Sequence, residues 1–509
     1  MPSSVMTTRV AAGDLRSRID SAYYAPEHLA RERRLRQLGV ARPMIGEMSA
    51  LVTDGTHKTP TYVDEGVPFL SATNIDGGSV HFGDHKWISR PEFLQLKAWN
   101  CAPIPDDVLV AKSGSIGNAA VVMPNSPEFA VFESIAIVRC GRVDASYLAT
   151  FLNSHVGQQE IRRQTKGAVI RHLHLEDLRA VEVPEFNADA QRYIGNKVRQ
   201  AEQLRARARR LEMETLDFFQ LAEWTEPRAG HRRSYVAGRT AMRSDRLDAA
   251  FYDPGHDDLE AALRRRGAIE IGDVASLVES RWDRLGAEFF YFEIGELDVA
   301  SGVLSPNRTP VADAPSRAQV LVEPWDVLVS TVRPNRKNVG VVLPADDSLP
   351  LVASSGFSAL RFRTAASAAF HHAFLRSDAA TQQLMRWNSG ATYPAIEGDI
   401  PLRVLAPSYD DQVVEERGER WLTKFSALDA ATRLTAAAKR IVEALIEGKV
   451  TESDLVAAQK ALESGDRSVD RGLMQSLRRS DATNEPALFP DLDAVYALFD
   501  DEAKAGGGD

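Results

Sequence analysis

The sequence predicts a mixed α+β chain made of two similar halves, each carrying small β-sheets and helices and each closed by a long helix. Three observations carry this expectation. The order of residue types in the first half recurs in the second. Short β-branched runs, broken by Gly, Pro, Asn and Asp, fill the first part of each half. A long proline-free stretch with apolar steps of three and four ends each half.

The duplication can be read residue by residue. Arg18-Ile19-Asp20-Ser21-Ala22-Tyr23-Tyr24-Ala25-Pro26 is matched by Arg246-Leu247-Asp248-Ala249-Ala250-Phe251-Tyr252-Asp253-Pro254, at an offset of 246 − 18 = 228. The stretch from Ile45 to Val52 is matched from Ile271 to Val278, and Asp107 to Ala111 from Asp326 to Ser330. Gly167 is matched by Gly390, and Pro184 by Pro407 at an offset of 407 − 184 = 223. Loop insertions produce a drift of this kind, and five ordered matches mark a repeat.

Within each half, Val108 to Val110, Ala119 to Met123, Ile135 to Val138, Val327 to Val329 and Val339 to Leu343 read as strands. Short helices follow over Tyr147 to Gln159 and Ala369 to Met385. Next come two helical seams. Ile194, Val198, Ala201, Leu204, Ala208 and Leu211 form one; Trp421, Phe425, Leu428, Ala431, Leu434, Ala438, Ile441 and Leu445 form the other. A narrow apolar seam belongs to helices that pair with each other, so an antiparallel coiled-coil spacer is expected. A helix of about 30 to 40 residues spans roughly 45–60 Å.

The expected layout is an N-terminal segment (1–39), a first sheet-bearing domain (40–186), a spacer helix (187–225), and a linker with the start of the second repeat (226–264). A second domain (265–408), a second spacer helix (409–448) and a flexible polar tail (449–509) complete it. Within the tail, Leu492 to Phe499 reads as a short docking helix.

Composition bounds the function classes. The 509 residues, 44% apolar and 26% charged, leave material for more than one core. Two cysteines, Cys101 and Cys140, form no disulfide framework, and a reduced, cytoplasmic setting is expected. No apolar run of signal or membrane type occurs, so no membrane partner is expected. A net charge of −10 argues against coating DNA by charge alone but leaves room for local basic patches.

Catalytic signatures fail in turn. The sequence has no phosphate-binding Gly-x-x-x-x-Gly-Lys-Ser/Thr loop, no Asn-Pro-Pro-Tyr/Phe stretch and no Gly-x-Gly-x-x-Gly after a strand. His172 and His174, near Glu176 and Asp177, lack metal-site spacing. Neither a catalytic nor a metal-ligating residue is expected.

One cluster is more specific. Asp54-Gly55-Thr56-His57-Lys58-Thr59-Pro60-Thr61-Tyr62 is followed by Gly66-Val67-Pro68-Phe69-Leu70 and Thr73-Asn74-Ile75, and Asp107 to Gly117 ends in Gly-Ser-Ile-Gly. These stretches resemble the target-recognition domain of Type I restriction-modification specificity subunits. The second half carries a divergent copy at Asp326 to Gly340, with Arg333-Pro334-Asn335 in the turn. Ser280-Arg281-Trp282 stands where the first half has His-Lys-Thr-Pro. The resemblance covers roughly residues 15 to 450.

It implies a non-catalytic subunit whose two target-recognition domains, related by a pseudo-twofold, read a bipartite, asymmetric site on double-stranded DNA. It implies two methyltransferase (modification) subunits as partners, which carry S-adenosylmethionine, methylate adenine and are held by the spacer helices. It also implies motor-nuclease restriction subunits, which use ATP and Mg, and no cofactor in this chain. The alternative is a targeting subunit of another phage-defence or orphan methyltransferase system with the same architecture. A third is a two-headed protein scaffold without a DNA role.

Base edges in the major groove call for Arg or Lys at guanine, Asn or Gln at adenine, and Ser or Thr at either. The first half offers His57, Lys58, Thr59, Asn74, Lys112, Ser113, Ser115, Asn118, Arg163, Lys166 and Arg171. The second offers Arg281, Arg333, Asn335, Arg336, Lys337, Ser389, Thr392 and Tyr393. Gly114, Gly117, Gly167 and Gly390 suit positive φ or close approach to phosphate.

Overall fold

The computed structural model describes residues 9–10, 15, 21–165, 172–221, 246, 248–345, 348–389, 393–477 and 487–506. They fall into two compact units, Met1–Arg205 with Asp429–Asp509, and Ala206–Leu428. The opening of the first repeat, Arg18 to Asp20, and the linker over 226–240 lie outside the described residues.

Unit 1 begins with α1 (Pro26–Gln37), α2 (Ile45–Met48), β1 (Ser49–Asp54), β2 (Tyr62–Val63), β3 (Val67–Leu70), β4 (Ile75–Asp76), β5 (Ser79–Val80) and β6 (Lys86–Ile88). It continues with α3 (Arg90–Ala98), β7 (Asp107–Ala111), β8 (Ala119–Val121), β9 (Ala130–Val131), β10 (Ile135–Cys140), α4 (Ala145–Asn153), α5 (His155–Gln164) and α6 (Leu175–Arg179). The strands form a β1-β10-β7-β8 sheet, a β2-β6-β3-β9 sheet and a β4-β5 hairpin. Strand β7 reads Asp-Val-Leu-Val-Ala and is buried along its whole length. A continuous apolar run is what a strand covered on both faces needs.

Unit 2 repeats these parts. It contains α8 (Pro254–Arg265), β11 (Ile269–Glu270), β12 (Ala275–Leu277), β13 (Glu288–Phe292), β14 (Leu297–Asp298), β15 (Val303–Leu304), β16 (Asn307–Pro310) and β17 (Ala318–Leu321). Then follow β18 (Val327–Ser330), β19 (Val339–Val341), β20 (Leu351–Ser354), β21 (Phe357–Phe362), α9 (Ala365–Leu375), α10 (Asp378–Arg386) and β22 (Leu405–Ala406). The order β12-β21-β18-β19 reproduces β1-β10-β7-β8, and β15-β14 extend the same sheet. In the second sheets, β13 runs parallel to β20 as β3 does to β9.

The repeat reaches individual side chains. Across β10 and β7, Arg139 grips the buried Asp107 through Nε and Nη2, both at 2.9 Å. Across β21 and β18, Arg361 grips the buried Asp326 at 2.8 and 2.7 Å. Each aspartate also accepts a backbone N–H three residues upstream, from Ile104 at 2.9 Å and Glu323 at 2.8 Å. Asp106 and Trp325, the residues before them, both have positive φ.

Both helical expectations over 147–159 and 369–385 meet a serine. Ser154 and Ser377 each cap a new helix by accepting from the N–H of Gly157 and Ala380, at 3.1 and 3.2 Å. A serine oxygen can serve an orphan helix N–H, so one expected helix becomes two.

The two long helices are α7 (Ala188–Leu221) and α11 (Asp411–Glu447). Ile194, Val198, Ala201, Leu204 and Ala208 of the first seam are buried, as are Trp421, Phe425, Ala431, Leu434, Ala438, Ile441 and Leu445 of the second. Within unit 2 they run antiparallel: Lys424 meets Glu212 at 2.9 Å, and Arg420 meets Glu214. Lys424 is buried over the Trp421 ring, 4.0 Å from its centroid, and burial lowers its amine to about 8.

The polar tail departs from expectation. It holds α12 (Glu452–Glu463), α13 (Ser468–Ser476) and α14 (Leu492–Gly506). Leu455, Ala458, Met474 and Leu477 are buried, so few apolar residues suffice to dock short helices. Buried Asp470 accepts from Tyr193 Oη at 2.7 Å, Lys197 Nζ at 2.5 Å and Tyr496 Oη at 2.6 Å. The helix expected near Leu492 to Phe499 therefore packs inside unit 1. Among the described residues, no helix is long and apolar enough to cross a membrane.

The aspartate grips carry a stability prediction. Asp326→Ala removes two charge-assisted bonds and a backbone acceptor, and is expected to destabilise unit 2 by about 3 kcal/mol. Hydrogen exchange resolved by unit checks it: protection should fall in β18 and β21 and stay unchanged in β7 and β10.

Candidate nucleic-acid interface

The equivalent hairpins β7–β8 and β18–β19 carry the turns where the sequence concentrates polar residues. Their frames agree. The Ala111 N–H donates to Asn118 O at 2.8 Å, and the Ser330 N–H to Asn338 O at 2.9 Å. Inside that frame, the left-handed residues in unit 1 are Gly114 (φ 67°) and Gly117 (φ 85°). In unit 2 they are Arg333 (φ 52°) and Lys337 (φ 55°). Each non-glycine residue held there costs roughly 1 kcal/mol or more, strain that tends to collect at functional sites.

In unit 2 the turn meets the segment after α10. Val332 bridges Ala395, and the Arg333 N–H donates to Pro394 O at 2.7 Å. The Arg333 guanidinium lies over the Tyr393 ring, 4.8 Å from its centroid, and Tyr393 is 65% exposed. Asn335 and Arg336 are exposed at the turn, and Ser389 is exposed beside it, its N–H donating to Ala395 O at 2.8 Å. Lys337 is tied to Asp378 at 2.7 Å. Arg281, Arg333, Asn335, Arg336, Lys337, Ser389 and Tyr393 are all at least partly exposed. Arg281 bridges Val320 in extended backbone, so it faces solvent while Trp282 turns inward onto Phe289, with centroids 4.2 Å apart.

In unit 1 the candidates divide. Lys58, Thr59 and Ser115 are exposed, and Ser113 and Asn118 half-buried. Asn118 Nδ2 donates to Asp76 Oδ1 at 3.1 Å. Exposed His57 is held between Glu133, 2.5 Å from Nδ1, and Asp54, 3.5 Å from Nε2. Nothing in the sequence around Glu133 signals a partner so far along the chain.

Three unit 1 candidates are corrected. Asn74 is buried: its Oδ1 accepts from the Ser71 N–H at 2.9 Å, and its Nδ2 donates to His81 O at 3.0 Å and Asp84 O at 2.8 Å. It ties the loop to the β4–β5 hairpin and has no donor left for a base. Lys112 is buried and paired with Asp54. Arg163 is buried, donating to Tyr23 O at 3.2 Å and Glu32 at 2.8 Å with its guanidinium over the Tyr23 ring. Its counterpart Arg386 pairs with Glu260 at 3.0 Å and covers the Phe251 ring, so both are packing residues of the repeat. Lys166, Arg171 and Thr392, with Gly167 and Gly390, lie outside the described residues.

The described residues hold no group of three or more His, Cys, Asp or Glu placed to bind a metal ion. Burial pushes the Cys140 thiol up to about 12 and raises that of Cys101, which leaves both protonated at neutral pH. Burial also lowers His172 below the usual histidine value, with Lys112 acting in the same direction.

No family model matches the chain, and no curated protein matches it. Among solved structures it is similar to a crystal structure of a Type-I restriction-modification system S subunit from M. genitalium. That match has 16% identity and TM-score 0.40, and covers 80% of this chain and 95% of the other. It is also similar to an HsdS subunit from Thermoanaerobacter tengcongensis (14%, TM-score 0.26, 81% and 97% covered). A third similar chain comes from a structure concerned with complex assembly and conformational transition of the type I R-M system (16%, TM-score 0.26, 80% and 98% covered).

The division between buried and exposed candidates is testable by thermal unfolding. Asn74→Ala loses three buried hydrogen bonds and is expected to cost about 2–4 kcal/mol. Lys58→Ala should stay within about 0.5 kcal/mol of wild type. Equal midpoints for the two variants would contradict the assignment.

Proposed function

We propose that this chain is the DNA-sequence-reading subunit of a Type I restriction-modification complex, and that each unit reads one half of a bipartite, asymmetric site. The observation that most supports the reading is the pair of matched frames with unmatched turns. Buried aspartate grips and strand order repeat between the units, while the hairpin turn carries Gly114, Ser115 and Gly117 in one and Arg333, Asn335, Arg336 and Lys337 in the other. A repeat that preserves its framework and varies its exposed donors suits two readers of different sequences.

Chemistry on the DNA is assigned to partners. On this reading, methyltransferase subunits supply S-adenosylmethionine and modify adenine, and restriction subunits supply ATP-driven cleavage. On the same reading, such partners attach to the outward faces of α7 and α11. The resemblance at Asp54 to Tyr62 and Asp107 to Gly117, with its divergent copy at Asp326 to Gly340, adds to this reading. The acidic total of −10 is compatible with it, because phosphate contact depends on local clusters.

Single-molecule methylation mapping of host DNA, with and without this gene, tests the proposal. One bipartite adenine-methylated motif should disappear when the gene is removed. Arg336→Ala should then degrade one half of that motif and leave the other intact. Equal loss at both halves by a folded variant would refute the assignment of one reader per unit.

A further inference from the structure

Most arginines around the unit 2 sheets are already engaged. Arg361 holds Asp326, Arg386 holds Asp257 and Glu260, Arg376 donates to Val299 O and Ala300 O, and Arg308 holds Glu288. Arg333 differs. Among the described residues, its guanidinium has no carboxylate or carbonyl partner; it is placed by left-handed backbone and by the face of Tyr393. The Arg333 N–H, bonded to Pro394 O at 2.7 Å, fixes the chain directly beside Tyr393.

We infer that Arg333 is the guanine-reading residue of unit 2, and that Tyr393 is its positioning residue. The inference rests on the proposed DNA-reading function and deepens it by assigning a base. Stacking on a ring occupies the guanidinium face and leaves its edge N–H donors in the plane. Two such donors match the O6 and N7 acceptors that guanine shows in the major groove, and neither cytosine nor thymine offers that pair. Held over Tyr393, Arg333 would bring such donors to the groove from a fixed place. Lysine carries a point charge without the planar fork and cannot replace it fully.

Unit 1 cannot make the same contact from the same place. Its equivalent left-handed position is Gly114, flanked by Ser113 and Ser115, none of which carries a charged fork. The guanine requirement at this turn thus belongs to one half of the site, which makes the whole site asymmetric.

The test is selection from a randomised double-stranded DNA library by the full chain, purified with its co-expressed modification subunits. The selected sites are then measured again with 7-deazaguanine in place of guanine. Wild type should enrich a two-part motif with an essential guanine in one part, and lose about tenfold or more in affinity when that guanine lacks N7. Arg333→Ala should lose the guanine preference, become indifferent to 7-deazaguanine and keep the other part unchanged. Arg333→Lys and Tyr393→Ala should each retain a weakened preference, and Tyr393→Phe should behave as wild type. A two-part motif that Arg333→Ala reads unchanged would overturn the inference and leave the DNA-reading function standing. Failure of wild type to enrich any motif would overturn both.

Discussion

The rule that buried charge must be paired organises this molecule. Asp107 and Asp326 are almost fully buried at the starts of β7 and β18, where a bare carboxylate would be intolerable. Each is satisfied by a two-pronged arginine from the neighbouring strand and by a backbone N–H of the incoming turn. The pair therefore locks strand register and turn together. Because β7 and β18 are the strands that lead into the candidate reading turns, the same contact sets where those turns emerge. The rule also sorts the remaining polar residues: those already paired in the interior are scaffold, and those left with open donors at the surface are available to a ligand.

That sorting explains what was legible in the sequence and what was not. The repeat, the apolar strands and the helical seams all follow from spacing, which is local. Both seams are buried almost as their periodicity demands, with Leu211 and Leu428 only partly so. The inward turn of Asn74, Lys112 and Arg163 is not legible in the sequence, because spacing does not tell which way a polar side chain at a strand or helix end points. Their partners lie at Asp84, Asp54 and Glu32, and only the folded chain brings the last two close. One signal was present for Arg163. Tyr23, Glu32 and Arg163 recur as Phe251, Glu260 and Arg386, and a trio kept in both copies is better suited to common packing than to reading different bases.

The tail shows the reverse error. A polar composition suggests a flexible end, but α12 and α13 need only a few buried residues because they dock on existing helices. Asp470 adds a buried acceptor shared by Tyr193, Lys197 and Tyr496, which fixes the docking in direction as well as depth. Composition reports whether a segment can form a core by itself. It is silent on whether a neighbour offers one.

The turns themselves follow from the asymmetry between the copies. Glycine enters left-handed backbone at little cost, and unit 1 uses it at both positions of its turn. Unit 2 places Arg333 and Lys337 in the same conformation, against their intrinsic preference. Packing does not require this, since the glycine version of the hairpin stands in the other half of the same chain. What the substitution adds is functional groups at a fixed place: a guanidinium over Tyr393 and an amine tied to Asp378. Local strain at the point where the frames of two repeats diverge, offset there by these two contacts, is what the proposed recognition role would require of the turn.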